Sequence, residues 1–276
     1  MGVGPKATSV TPQINMIVNG EMTGNNFVDD FTFLYAKKRV ANKQPNETID
    51  EYRLFNNLLS SQPMAFNLFC PFIKMLEQGK QQVATDILQH VFPEYGIQEV
   101  TEVRLEYLHE DIQNYLNDKT AMDAIIRYRD VEGQQSFIAI ETKYTDTLNP
   151  NSASRTERHK EWIKRLGVFK KASEEELLDG RRAISQIYRN FLLTESYGVV
   201  EGANRYYSVV LSPALHPTTE VEVASVRDEL LPQYQYKLRA VSLESFIEQA
   251  LAVCPQEETA PFNYFYRRYL DFSKLT

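Results

Sequence analysis

The sequence predicts an α/β or α+β fold, a sheet covered by helices, on three observations. Apolar residues recur at helical spacing through the first third of the chain. Three strand-like segments then follow one another between residues 96 and 144, and strands alternate with helices beyond them. Residues 27–39 read as a helix ending in the cluster Lys37, Lys38, Arg39. Ser61 stands as an N-cap ahead of Pro63 for a second helix, and Val83, Ile87, Leu88 and Val91 mark a third. The texture changes at Pro93. Residues 96–108 and 121–130 alternate and carry β-branched side chains; 136–144 follow after a loop containing Gly133, so the three predict an antiparallel meander. Residues 181–198 predict a long amphipathic helix ending at Gly198, and 204–213 a strand. A helical run near 220–231, a short strand at 236–241 and a helix at 242–253 complete the set.

The chain has 276 residues, is 43% hydrophobic and carries a formal charge of −7 with pI near 5.3. That composition excludes a disordered chain, and its acidity argues against coating nucleic acid or anionic membrane by bulk attraction. Cys70 and Cys254 are too few for a disulfide framework and lack metal-ligand spacing, which predicts a reduced, cytoplasmic setting. The opening residues lack the pattern of a secretory signal. The most apolar stretch, 63–76, is shorter than a membrane span and contains Asn67, Pro71 and Lys74, so it is expected in the core and no membrane partner is expected.

The chemistry lies in the third strand. Alternation puts Phe137, Ala139, Glu141 and Lys143 on one face, so a carboxylate and an ammonium sit side by side at the end of an apolar strand. If Arg129 pairs with Ser136 across the loop, Asp123 falls opposite Thr142; a slip of one places it opposite Glu141 or Lys143. Two close carboxylates repel unless a divalent cation or a shared proton neutralises them, and hard oxygen ligands suit Mg²⁺. A lysine beside such a cation can orient its water for in-line attack on phosphorus and stabilise the transition-state charge. Glu141-x-Lys143 is the one acid-x-Lys triplet in the sequence, and Asp123 lies 18 residues upstream of it.

On Asp123 in TAMDAIIRY and on Glu141 and Lys143 in IAIETKY, the sequence resembles the PD-(D/E)xK nuclease superfamily, the restriction-endonuclease-like fold. The likeness spans roughly residues 97–241. With LLSSQPMAFNLF, LEYL and AISQIYRN it extends to a group of uncharacterised bacterial restriction-endonuclease-like proteins. The resemblance implies an αβββαβ core with a central mixed sheet and a helical N-terminal elaboration. It also implies Mg²⁺, with Mn²⁺ substituting, held by Asp123, Glu141 and the backbone carbonyl of Thr142, and Lys143 as catalytic lysine. The family's Asp often follows proline; here Met122 precedes it. One branch carries Gln-xxx-Tyr on the helix after the lysine. Gln186 matches, but Asn190 holds the tyrosine position and Tyr188 lies two residues before it, so Gln186 alone carries over as a further active-site residue. The division expected is 1–92 as elaboration, 93–253 as core and 254–276 as an aromatic-rich segment packed on it, within one domain.

Between positions 155 and 171 seven basic residues face two acidic ones, a local balance of +5 that leaves −12 elsewhere. Such a run is commonly a solvated helix face, yet it follows the proposed active strand. Arg155, Arg158, Lys160, Lys164 and Arg165 are therefore candidates for contacting a phosphate backbone. Trp162 within it could stack on a base or pack. Glu51, Glu106 and Glu110 could each add a metal contact or be structural, and the C-terminal FNYFYRRYLDF reads as a core-closing helix before an interaction surface. The four histidines lack ligand spacing. The resulting expectation is a Mg²⁺-dependent nuclease acting on DNA, in restriction or defence as the resemblance implies, and capable of working as a homodimer. The alternatives are a catalytically silent nuclease-fold binding or assembly module, or a protein in which the acid-lysine cluster is a surface ion pair.

Overall fold

The computed structural model describes residues 15–44, 46–145 and 156–275. Five helices come first: α1 (Gly20–Thr23), α2 (Asp30–Ala41), α3 (Glu51–Asn56), α4 (Ser61–Glu77) and α5 (Gln81–Val91). Strands β1 (Ile97–Tyr107), β2 (Met122–Asp130) and β3 (Gln135–Thr142) follow. Then come α6 (Glu157–Leu166), α7 (Lys171–Asp179), α8 (Gln186–Glu201), β4 (Tyr206–Ser212), α9 (Thr219–Glu229), β5 (Leu238–Ser242), α10 (Leu243–Val253) and α11 (Ala260–Tyr269). The fold is α+β: one five-stranded mixed sheet in the order β1-β2-β3-β4-β5, with helices on both faces. The first three strands are antiparallel. β4 and β5 run parallel to β3 because each is reached through a helical crossover.

One face packs Ile126, Ile138, Ile140, Val209 and Leu211 against α2–α5, α10 and α11. In α4 twelve of the 17 residues are buried, Pro71 among them; a helix apolar all round is one enclosed on all sides. Its cap is Ser60, one residue before the serine read from sequence, and Ser60 accepts a hydrogen bond from the Gln62 amide. The other face packs Ile125, Phe137, Ala139 and Val210 against α6–α9. Among the described residues no helix is long and apolar enough to cross a membrane.

Two local expectations are corrected. Arg129 pairs with Gln135 rather than Ser136, because Asp130 takes the Glu132 and Gln134 amides and, with Gly133 at φ 73°, tightens the turn. The long helix begins at Gln186 and does not stop at Gly198. It continues to Glu201 and is capped at Gly202 with φ 64°. Gly198 serves close packing instead, since a Cβ there would lie 2.5 Å from the Tyr206 ring.

Candidate active site

Extending the observed register places Asp123 opposite Glu141, one strand away, and Glu106 of β1 opposite Asp123 on the other side. Three adjacent strands therefore carry a carboxylate at one level, near the C-terminal end of β3. Glu141 and Lys143 are 6% and 5% exposed, so they are not the solvated surface pair weighed from the sequence. The Lys143 ammonium lies 2.7 Å from Glu141 Oε1 and donates to Gln186 Oε1 at 2.9 Å. The Gln186 amide donates back to Glu141 Oε1 at 2.7 Å. Asp123 is half-buried, and its Oδ2 accepts from the Thr142 amide at 2.7 Å and the Thr142 hydroxyl at 2.8 Å.

Helix α8 supplies a residue that sequence reasoning passed over. Asn190, one turn after Gln186, donates its side-chain amide to Glu141 Oε2 at 2.7 Å. It stands where a tyrosine was looked for, and Tyr188 is turned away, its hydroxyl bonded to Glu229. Glu106, one of the three acids that the sequence offered for a further metal contact, is the one that joins the row. It is 5% exposed, adopts φ 48°, and accepts the Gln62 side-chain amide at 2.8 Å. A left-handed glutamate is strained backbone of the kind that clusters at functional sites. Glu51 and Glu110, by contrast, are exposed outside this row.

The row is over-supplied with negative charge. Burial, then the Glu141 and Glu106 carboxylates, push the Asp123 carboxyl well above its ordinary range against the pull of Lys143 and the Thr142 amide. Burial pushes Glu106 up to about 7, although the Gln62 amide counters it. Such a cluster favours an added proton or cation.

The donor set fits a hard divalent ion. Both hydrogen bonds of Asp123 fall on Oδ2, and Oδ1 accepts none from the described residues. Glu141 Oε1 takes two donors but Oε2 only one, which leaves a lone pair. The N–H and C=O of one strand residue face the same edge, so the Thr142 carbonyl lies on the Asp123 side as its amide does. Among the described residues no three His, Cys, Asp or Glu side chains form a complete metal cage. One or two carboxylates with a carbonyl, the rest being water and substrate oxygen, is the demand of Mg²⁺ rather than of structural zinc or calcium.

The basic segment divides. Arg155 lies outside the described residues. Arg158 holds the Tyr115 and Asn114 carbonyls and Glu161, and Lys160 pairs with Glu157. Lys164 and Arg165 are exposed on α6, with the Arg165 guanidinium 4.6 Å over the Trp162 ring. Trp162 is 1% exposed and donates its indole N–H to the Tyr115 carbonyl, so it packs and offers no face to a base. The C-terminal aromatics do close the core: Phe262, Phe265 and Tyr269 of α11 are buried.

A protein-family model described as PD-(D/E)XK nuclease superfamily matches residues 4–271, nearly the whole chain. No curated protein and no solved structure matches it.

Proposed function

The chain belongs to the PD-(D/E)XK nuclease superfamily, and from that premise we propose that it is a Mg²⁺-dependent deoxyribonuclease, intracellular and working in restriction or phage defence. The observation that carries the reading is the convergence of Asp123, Glu141 and Lys143 at one end of adjacent strands, with Gln186 bonded to both members of the Glu141–Lys143 pair. Asp123, Glu141 and the Thr142 carbonyl are the groups that would hold the ion, with Mn²⁺ able to replace Mg²⁺. The ion supplies Lewis acidity, acidifying water and neutralising the phosphate. Lys143 then orients the attacking water and stabilises charge gathering on the phosphorus oxygens, while Gln186 fixes the ammonium by accepting from it. The exposed Lys164 and Arg165 on α6 are the basic groups best free to meet a backbone; Arg158 and Lys160 already spend charge within the fold. With a total charge of −7, binding of DNA would be local and would weaken steeply with salt.

The test is plasmid cleavage in Mg²⁺. Wild type is expected to cut, EDTA to stop it, and Lys143→Ala to slow it by about a hundredfold or more. Identical product from wild type and Lys143→Ala would sink the catalytic reading. Calorimetry with Mn²⁺ on wild type, Asp123→Asn and Glu141→Gln decides the metal ligands, and no cutting together with no metal binding would leave a silent nuclease-fold module.

A further inference from the structure

A cavity lies away from the carboxylate row. It has a volume of about 480 Å³, within the range of small-molecule sites, and its walls include Tyr95, Tyr207, Tyr236, Arg227, Arg239 and Glu94. Two unmet groups border it. The Tyr95 hydroxyl is buried and has no hydrogen-bond partner among the described residues, although the Tyr95 ring is 1% exposed. The Arg227 guanidinium makes no hydrogen bond, ion pair or ring contact among the described residues. Buried polar atoms are almost always partnered, so an orphan hydroxyl beneath the aromatic wall is unusual, and the Arg227 guanidinium is the unspent donor among the lining residues.

The other walls say what ligand. Phe92, Tyr95 and Tyr207 form a stacked column, with the Tyr95 and Tyr207 rings 3.8 Å apart at 8°. Tyr236 stands nearly edge-on to Tyr207 at 6.2 Å and is 58% exposed, which leaves one ring face for a planar ring to stack on. Arg227 offers an unspent planar fork of donors suited to phosphate. Arg239 is paired with Glu94, a carboxylate able to accept from sugar hydroxyls while its arginine turns to an incoming anion. An aromatic platform, a free guanidinium and a hydroxyl-binding carboxylate together match a nucleoside phosphate.

From these walls we infer that the cavity between the end of α9 and the edge of β5 binds a nucleoside monophosphate group, either free or as the terminal nucleotide of a strand. The base stacks on Tyr236 beside Tyr207, and the phosphate meets Arg227. The site shares no residue with the carboxylate row. Tyr207 pairs with Ile138 and Val210 with Glu141, three residues further along β4, roughly 10 Å away. The Tyr95 and Tyr207 rings pack on the α4–α10 side of the sheet and Val210, which pairs with Glu141, on the α8 side, while Arg227 comes from α9. The inference therefore stands whether or not the chain cuts DNA.

The experiment is calorimetric titration of the whole chain in EDTA with AMP, dAMP, a 5′-phosphorylated oligodeoxynucleotide, adenosine and inorganic phosphate. Binding of a nucleotide probe with Kd of about 1 mM or tighter is expected, with adenosine and phosphate at least about tenfold weaker. Arg227→Ala should cost about tenfold or more, and Tyr236→Ala, which removes an exposed ring and leaves the core intact, several-fold. Asp123→Asn should change nothing. Free nucleotide alone binding identifies a mononucleotide site, and the oligonucleotide alone binding identifies a strand-end anchor. No nucleotide binding, binding indifferent to both Arg227→Ala and Tyr236→Ala, or binding lost in Asp123→Asn overturns the inference.

Discussion

Two buried glutamate–lysine pairs sit on the same side of the sheet, and helix α8 touches both. In one, Lys143 contacts Glu141 at 2.7 Å; in the other, Lys237 contacts both oxygens of Glu195, at 3.1 and 3.0 Å. The second pair is balanced and closed. Its ammonium lies 3.6 Å from the centre of the Tyr206 ring, and Glu195 accepts from no other side chain among the described residues. The first is unbalanced: Asp123 and Glu106 crowd the same level, two side-chain amides from α8 hold Glu141, and one Asp123 oxygen is unclaimed. An acid beside a lysine is therefore not in itself a site. Surplus like charge and unfilled lone pairs separate the pair fit for chemistry from the pair that holds the fold.

Cutting each pair in turn gives the sharpest contrast. Lys237→Ala strands Glu195 in the interior and is expected to destabilise the protein by about 3 to 5 kcal/mol in denaturant unfolding. The double change Glu195→Leu with Lys237→Met should come out near neutral. Lys143→Ala should cost visibly less stability, because Glu141 keeps its Gln186 and Asn190 donors. Equal losses at the two lysines would break the comparison.

A smaller effect tests the amide from Asn190. Asn190→Ala is expected to leave the far-ultraviolet circular dichroism unchanged and to lower Mn²⁺ affinity about 10- to 100-fold, the usual consequence of releasing a ligand's orienting partner. Unchanged affinity would reduce Asn190 to packing.

The smallest effect is a pH slope. Burial raises the Glu106 and Glu195 carboxyls to about 7, and Asp123 well above its usual range. An acid raised in the folded chain keeps a proton that the unfolded chain has already lost. Stability therefore falls as pH climbs from about 4.5 to about 7 and levels off beyond. Asp29, Asp118 and Asp130 are lowered instead, and their contribution is lost only as pH falls below the ordinary range near 3.8. The metal-free protein should melt higher at about pH 5.5 than at about pH 7.5, and Glu195→Gln should flatten that difference. A steeper fall in Glu195→Gln would reverse the sign of this argument.

The residues of the row were legible to different degrees for physical reasons. Asp123, Glu141 and Lys143 stand out because charge at the end of an apolar strand is visible as a break in pattern. Their exact facing was not, since the Asp130 turn that sets the register is made by a side chain taking backbone amides, and it shifted the pairing by one residue. Glu106 was legible beside Glu51 and Glu110 as a possible metal contact, but nothing set it apart from them, because at φ 48° it escapes the alternation of β1 and is buried between two buried neighbours. Asn190 was hidden because its role is geometric, one helical turn from Gln186, and an asparagine there carries no signal until the helix is placed against β3. The end of α8 was misplaced because a glycine that permits close contact looks, in sequence, like a glycine that ends a helix.

That glycine ties distant positions together. Gly198 seats α8 against Tyr206, the ring that also lies over Lys237, while Gln186 twelve residues earlier, roughly 18 Å along the helix axis, meets Glu141. One rigid rod thus sets the placement of both ion pairs from a point that touches neither acid. A variant drifting at position 198 would inherit its penalty at 141, so lineages that keep the carboxylate row are bound to keep the smallest residue far from it, or to change positions 198 and 206 together.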